Sequence, residues 1–133
     1  MKQLAKLLRK LCKYLDDEYS LNSGGCIYSA YLIAKNLQKL SIDYDVIFWY
    51  DSFDELYHIS VAINGKYDTN PGCCFMYKSK SNIGKKTVRE LSSFVKEYEE
   101  IDYIWTRSNK KKVREEINLF FKSYSEAVAN STS

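Results

Sequence analysis

The N-terminal third of the chain contains two stretches in which apolar residues recur at the spacing of an α-helix. Over residues 3–19, leucines recur three and four positions apart while lysines and Arg9 occupy the opposite face. Over residues 24–40, apolar and small residues form a broader face. Ala30 and Ala34 in that face allow another element to pack closely. Because the helix is so apolar, we expect it to be central to the fold.

Between residues 43 and 72 the pattern changes to the short apolar runs of β-strands. Aromatic and β-branched residues fill positions 44–50, and similar runs follow at 57–63 and 66–69. Asn64-Gly65 separates the last two runs and is the strongest two-residue hairpin signal in the chain. The sequence therefore predicts a small antiparallel sheet that stops at the Asn-Pro-Gly of residues 70–72.

The remainder of the chain predicts two further helices. Residues 73–86 are irregular and basic, and Thr87 with Glu90 then forms a capping box that opens a helix. Residues 101–106 are short and aromatic, and suit either a strand or a packed loop. Ser108 is the expected N-cap of the last helix.

These elements predict a single α+β domain that spans residues 1–133. In this fold a central helix begins at a cysteine, Cys26, and packs on the small antiparallel sheet, with the other helices flanking it. A length of 133 residues suits one domain. The sequence shows no internal repeat or flexible linker, and we expect residues 129–133 to form a disordered tail.

Composition and charge narrow the range of partners. The net charge is +3, from 20 basic and 17 acidic residues, and this mild excess does not by itself indicate nucleic acid. The basic stretches 78–86 and 107–114 could contact the phosphates of a nucleic acid, but nearby glutamates balance them and favour a solvated face. No apolar run reaches the ~18 residues of a membrane span, and the N-terminus lacks the features of a signal peptide. We therefore expect neither a membrane nor a nucleic acid as partner.

The four cysteines, Cys12, Cys26, Cys73 and Cys74, show no CxxC spacing. Without an export signal they are expected to be reduced thiols in a cytoplasm. The adjacent pair Cys73-Cys74, in a chain with one histidine, offers no standard zinc spacing. We predict no metal and no cofactor.

Cys26 occupies the position at which a cysteine becomes a reactive thiol. It falls in the first turn of the predicted second helix, three residues after Ser23, a good N-cap. Unpaired N–H groups and the positive end of the helix dipole stabilise a thiolate there. The alternative is an inert buried thiol, because free cysteine is commonly a small core residue.

The only histidine, His58, lies at the start of the predicted strand 57–63. Asp68 lies at the end of the strand 66–69, which pairs with it in the predicted hairpin. A thiolate nucleophile needs a base, and the base needs a third group that fixes its tautomer. His58 and Asp68 are the candidates for these roles. Asn22 is the candidate side-chain donor of an oxyanion hole, beside the N–H of Cys26.

Two segments carry a resemblance to a known group of proteins. GGCIYSAYLIAKNL and HISVAINGKYDTNPG, both within residues 20–72, resemble the papain-like and transglutaminase-like cysteine peptidase superfamily, and small phage and bacterial members most closely. The resemblance implies a cysteine-dependent amide hydrolase or acyltransferase with Cys26, His58 and Asp68 as its triad. It also implies a peptide, protein or amide substrate and the cytoplasm of a bacterium or a phage-infected host cell.

One departure from that pattern concerns the hairpin register. With a simple two-residue turn, Val61 lies opposite Asp68, so His58 points to the face away from Asp68. A bulge after Tyr67 would bring the two to one face. Without it, Thr69 or Asn70 would orient the histidine, and Asn70 is the alternative orienter.

The same departure leaves a second function open. A non-catalytic binding or virion-associated protein could use the same fold. The substrate, the choice between hydrolysis and acyl transfer, and the oligomeric state have no readable signal in the sequence.

Overall fold

A computed structural model of the chain describes residues 1–22, 25–71, 80–99 and 107–131. The helices in these ranges are α1 (Lys2–Tyr19), α2 (Cys26–Lys39), α3 (Val88–Glu99) and α4 (Arg107–Ser131). The strands are β1 (Tyr44–Tyr50), β2 (Leu56–Ile63), β3 (Tyr67–Asp68) and β4 (Lys80–Gly84). The predicted α+β class is confirmed.

The strands form one antiparallel sheet in the order β3-β2-β1-β4. Val46 lies opposite Val61, and Phe48 lies opposite Ile59. These four side chains are buried in the hydrophobic core together with residues of the helices. Because successive side chains of a strand alternate between faces, this is the face of the sheet that the helices cover.

Helix α2 is the central helix, as the sequence predicts. It contacts β1, β2, α3 and α4, and its side chains Ala30, Ile33, Ala34 and Leu37 are buried. The small side chains at 30 and 34 remove the bulk that would keep neighbouring elements apart. The position of Cys26 is therefore set by a helix that is fixed on several sides.

Two of the predicted helix ends need correction and one is confirmed. Thr87 and Glu90 form the expected capping box, in which each backbone N–H donates to the other residue's side chain, at 3.0 and 3.1 Å. Ser108 lies inside α4 and is not its N-cap, because the helix already includes Arg107. Residues 129–131 continue α4 and are not a disordered tail.

The irregular segment expected over residues 73–86 contains a strand, β4, at its end. β4 pairs with β1, where Phe48 lies opposite Asn82. Its sequence, KSNIG, has few β-branched or aromatic residues, so the strand depends on pairing with β1 rather than on its own preference. The predicted loop or strand at 101–106 and Cys73-Cys74 lie outside the described residues.

The hairpin register differs by one residue from that of a simple two-residue turn. Ile63 lies opposite Tyr67 and Ala62 opposite Asp68, so the predicted pairing of Val61 with Asp68 is wrong. Asn64 and Gly65 adopt the left-handed conformation, with φ of 55° and 67°, that an Asn-Gly turn requires.

The extra residue is Lys66. Its N–H donates to the carbonyl of Ile63 and closes the turn, but it has no partner position in the β2–β3 register and forms a bulge there. The bulge lies before Tyr67, not after it, and it places Asp68 on the face of the sheet that carries His58.

None of the helices within the described ranges has the combined length and hydrophobicity that crossing a membrane requires.

Candidate functional site

Cys26 is the first residue of α2. The N-cap is Gly25, whose N–H donates to the carbonyl of Leu21 at 2.8 Å and whose carbonyl accepts from the N–H of Ser29 at 3.0 Å. Gly25 has no side chain with which to cap the helix, and the predicted cap Ser23 lies outside the described residues. The thiol is buried, with 6% of the residue exposed, at the helix end where a thiolate is stabilised.

His58 lies in β2 opposite Trp49 and is buried, with 4% of its surface exposed. Its Nε2 atom lies 2.6 Å from the backbone carbonyl oxygen of Asn70. A carbonyl oxygen can only accept a hydrogen bond, so Nε2 carries the proton. In the neutral ring the lone pair is then on Nδ1, which is the nitrogen that can act as a base.

Asn70 connects three parts of the site. Its carbonyl accepts from His58, and its N–H donates to Oδ1 of Asp68 at 2.9 Å. Its side-chain amide forms a reciprocal pair with that of Asn22, at 3.0 Å in one direction and 3.4 Å in the other. Asn70 is buried, so these bonds satisfy polar groups that would otherwise be costly to remove from water.

Asn22, which precedes α2 in the chain, is itself held by two partners. Its backbone N–H donates to Oδ1 of Asp16 at 2.8 Å, and its side chain bonds Asn70. Cys26 follows four residues later, across the turn closed by Leu21 and Gly25. The predicted role of Asn22 as an oxyanion donor stays a prediction; the structure shows it linking the cysteine loop to the residue that holds His58.

Nε2 of His58 bonds Asn70 and not Asp68, the residue that the sequence predicts as the orienter of the histidine. Asp68 lies opposite Ala62, four residues beyond His58 and so about 13 Å farther along β2. The alternative orienter, Asn70, provides that acceptor, and it does so through its backbone carbonyl. Asp68 supports the arrangement indirectly, through the N–H of Asn70.

Thr69 is the other residue that the sequence offers as an alternative orienter of His58, but it bonds the backbone of β2 instead. Its hydroxyl and its N–H both donate to the carbonyl of Val61, at 2.8 and 2.9 Å. These bonds extend the pairing of β2 and β3 by one residue and fix where Asn70 begins.

Strand alternation places His58 on the sheet face that also carries Trp49 and Ser60, whose side chains are bonded at 3.4 Å. The neighbouring residue Ile59 points to the opposite face, into the core with the helices. Asn22 and Asn70 link the residues before Cys26 to His58 through hydrogen bonds.

Cys12 contrasts with Cys26. Burial, with a smaller contribution from the nearby carboxylates of Asp68 and Asp16, raises the pKa of the Cys12 thiol to about 12. It is therefore protonated at neutral pH and cannot serve as a nucleophile. Cys12 lies in the middle of α1, whereas Cys26 is the first residue of α2, the helix end at which the dipole favours a thiolate.

Within the described ranges, no three His, Cys, Asp or Glu side chains are grouped so that they could hold a metal ion. Comparison of the chain with protein-family models, with curated proteins and with solved structures finds no match.

Proposed function

We propose that the protein is a cysteine-dependent amide hydrolase or acyltransferase, as the resemblance to papain-like and transglutaminase-like proteins implies. Cys26 is the nucleophile, and Nδ1 of His58 is the base. Asn70 replaces Asp68 as the orienting residue. The observation that supports this most is the bond from Nε2 of His58 to the Asn70 carbonyl, together with the amide pair that joins Asn70 to the loop before Cys26.

The proposed reaction has two steps. His58 takes the proton of the Cys26 thiol, the sulfur attacks the amide carbonyl carbon, and the C–N bond breaks as His58 protonates the leaving amine. Water or a second amine then attacks the thioester, giving a free acid or a new amide. The N–H of Cys26 and the side chain of Asn22 are the proposed donors to the developing oxyanion.

The substrate class is a peptide, a protein or another amide, and the proposed setting is the cytoplasm of a bacterium or a phage-infected cell. Both follow from the resemblance.

Incubation with a mixture of peptides of varied sequence tests the proposal. We expect new peptide termini or amine-exchanged products, and an acyl adduct on Cys26 in mass spectra after acid quenching. Cys26→Ala should abolish both, whereas the matched variant Cys12→Ala should retain them. Product formation that survives in Cys26→Ala would contradict the proposal.

A second candidate is a binding protein that uses the same fold without catalysis. Two observations favour it: Cys26 and His58 are almost fully buried, and His58 belongs to the sheet face opposite the one packed against α2. In that case no adduct forms on Cys26 with any peptide, and Cys26→Ala binds its partner as the wild type does.

A further inference from the structure

A groove of about 590 Å³ lies between α2 and α4, away from the candidate site. Its lining includes neither Cys26, His58 nor Asn70. It follows the two helices from Tyr28 to Leu40 on one side and from Arg114 to Ser125 on the other. At 1.5 Å per residue these segments are about 16–18 Å long, the length of roughly five residues of an extended peptide.

The rim of this groove is basic. Lys35 and Lys39 come from α2, Arg114 and Lys122 come from α4, and no acidic residue is among the described residues that line it. The four side chains are exposed. Charged groups that line one depression with a single sign raise the local concentration of oppositely charged ligands.

The positive charges are distributed along the groove rather than at one point. Tyr28 contacts α4 near Lys110 and Arg114, with the Lys110 ammonium 4.8 Å from the Tyr28 ring centre. Farther along, the side-chain amide of Asn36 donates to that of Asn118 at 3.2 Å. The two helices therefore advance in the same direction, and basic residues follow at Lys35, then at Lys39 and Lys122.

Positive charges already lie close together at the end of the groove near Tyr28. Burial, and then the neighbouring Arg114, lower the pKa of Lys110. An anion in the groove would relieve this repulsion. Glu116, an acidic residue of α4, instead contributes to raising the pKa of Tyr14 on α1, so it lies on another side of the helix.

The aromatic residues of the groove do not favour nucleic acid. Tyr28 and Phe121 are 9% and 3% exposed, so neither offers a free ring face on which a base could stack. The Tyr31 ring is partly covered by the Lys35 ammonium, 5.9 Å from its centre. The charged side chains among the described residues that line the groove are all cations, spaced along its length, and these match a chain of carboxylates.

From these observations we propose that the α2–α4 groove binds an acidic segment of another protein in an extended conformation. Lys35, Lys39 and Lys122 would pair with its carboxylates, together with Arg114. The site is separate from the cysteine site and does not depend on the proposed catalysis.

The test is fluorescence anisotropy with a labelled peptide of six glutamates, and with a peptide of six glutamines as the uncharged control. The full chain should bind the first and not the second. The double variant Lys39→Glu/Lys122→Glu should weaken binding about tenfold, the sum of several exposed ion pairs lost and reversed. The double variant Lys39→Gln/Lys122→Gln neutralises the two charges instead of reversing them and should weaken binding of the glutamate peptide less. It controls for a folding defect in the charge-reversal variant.

The matched control is Lys2→Glu/Lys6→Glu, which changes the net charge equally at two exposed lysines of α1. It should alter affinity less than about twofold. Equal losses in the two reversal variants would show attraction to overall charge and would overturn the proposal. Absence of binding, or tighter binding of a labelled single-stranded RNA of ten uridines at the same groove, would overturn it as well.

Discussion

Asn70 is the residue on which the geometry of the candidate site depends, because its N–H, carbonyl and side-chain amide each bond a different partner. The sequence could identify Cys26 and His58 as site candidates because their side chains carry a chemical signature. It could not identify a backbone carbonyl as the acceptor for His58, because every residue has one.

Asp68 should matter through Asn70. Asp68→Ala leaves the buried N–H of Asn70 without its acceptor, so we expect a loss of about 1–2 kcal/mol in the free energy of unfolding. Asp68→Asn retains an oxygen that can accept the bond and should lose less. Urea unfolding of the three proteins measures the difference, and equal losses in the two variants would show that this bond is not what Asp68 contributes.

The buried thiol of Cys12 should make stability fall in alkaline solution. Its pKa is raised from 9.0 to about 12 in the folded protein, so above about pH 9 the unfolded chain releases a proton that the folded chain retains. The contribution of the protonated Cys12 thiol to the free energy of unfolding is then fully present below pH 9 and is lost as the pH rises toward 12.

Cys12→Ala removes this titrating thiol from both the folded and the unfolded chain. Urea unfolding between pH 9 and 11 should show a slope that is less steep in Cys12→Ala than in the wild type, by on the order of 1 kcal/mol per pH unit. The comparison with the variant removes the contribution of tyrosines and lysines that titrate in the same range. Parallel slopes would mean that Cys12 ionises in the folded state as it does in the unfolded chain.

At the scale of whole elements, α1, α2, β1 and β2 were predictable within two residues because each has a long and regular hydrophobic period. β4 was not, because its residues favour a strand only when β1 is beside them. The register of the hairpin was not predictable from the sequence either. Asn64-Gly65 identifies the turn, but whether Lys66 joins β3 or bulges depends on the pairing of Tyr67 and Asp68 with β2.

Helix α3 provides an element-scale prediction. Thr87→Ala removes the oxygen that accepts from the N–H of Glu90, and should cost about 1 kcal/mol of unfolding free energy. Thr87→Ser keeps that oxygen and should cost only a few tenths. Thermal or urea unfolding distinguishes the two variants, and a Thr87→Ser protein as unstable as Thr87→Ala would rule out capping as the cause.

At the scale of the molecule, one hydrophobic core joins side chains of α1, α2, α3 and α4 with those of β1 and β2. We therefore expect one cooperative unfolding transition for the chain. Ile117→Ala, at a fully buried position of α4, should lower the free energy of unfolding by about 3 kcal/mol.

The same variant tests whether the helices and the sheet unfold together. Far-ultraviolet circular dichroism, which reports the helices, and fluorescence, which includes Trp49 of β1, should shift together to the same lower urea midpoint. A fluorescence transition that stays in place while the helical signal shifts would show that α4 and the sheet unfold separately.

The central claim, that Cys26 and His58 act as a nucleophile and its base, is tested most directly by the pH dependence of iodoacetamide alkylation at Cys26. Mass spectrometry of the wild type and of His58→Ala gives the rate at each pH, and Cys12 is an internal control that should remain unmodified while the protein is folded. We expect alkylation of wild-type Cys26 to begin well below the ordinary thiol value of about pH 8.5, and His58→Ala to move the onset back toward it. An onset near 8.5 in both proteins would contradict the claim.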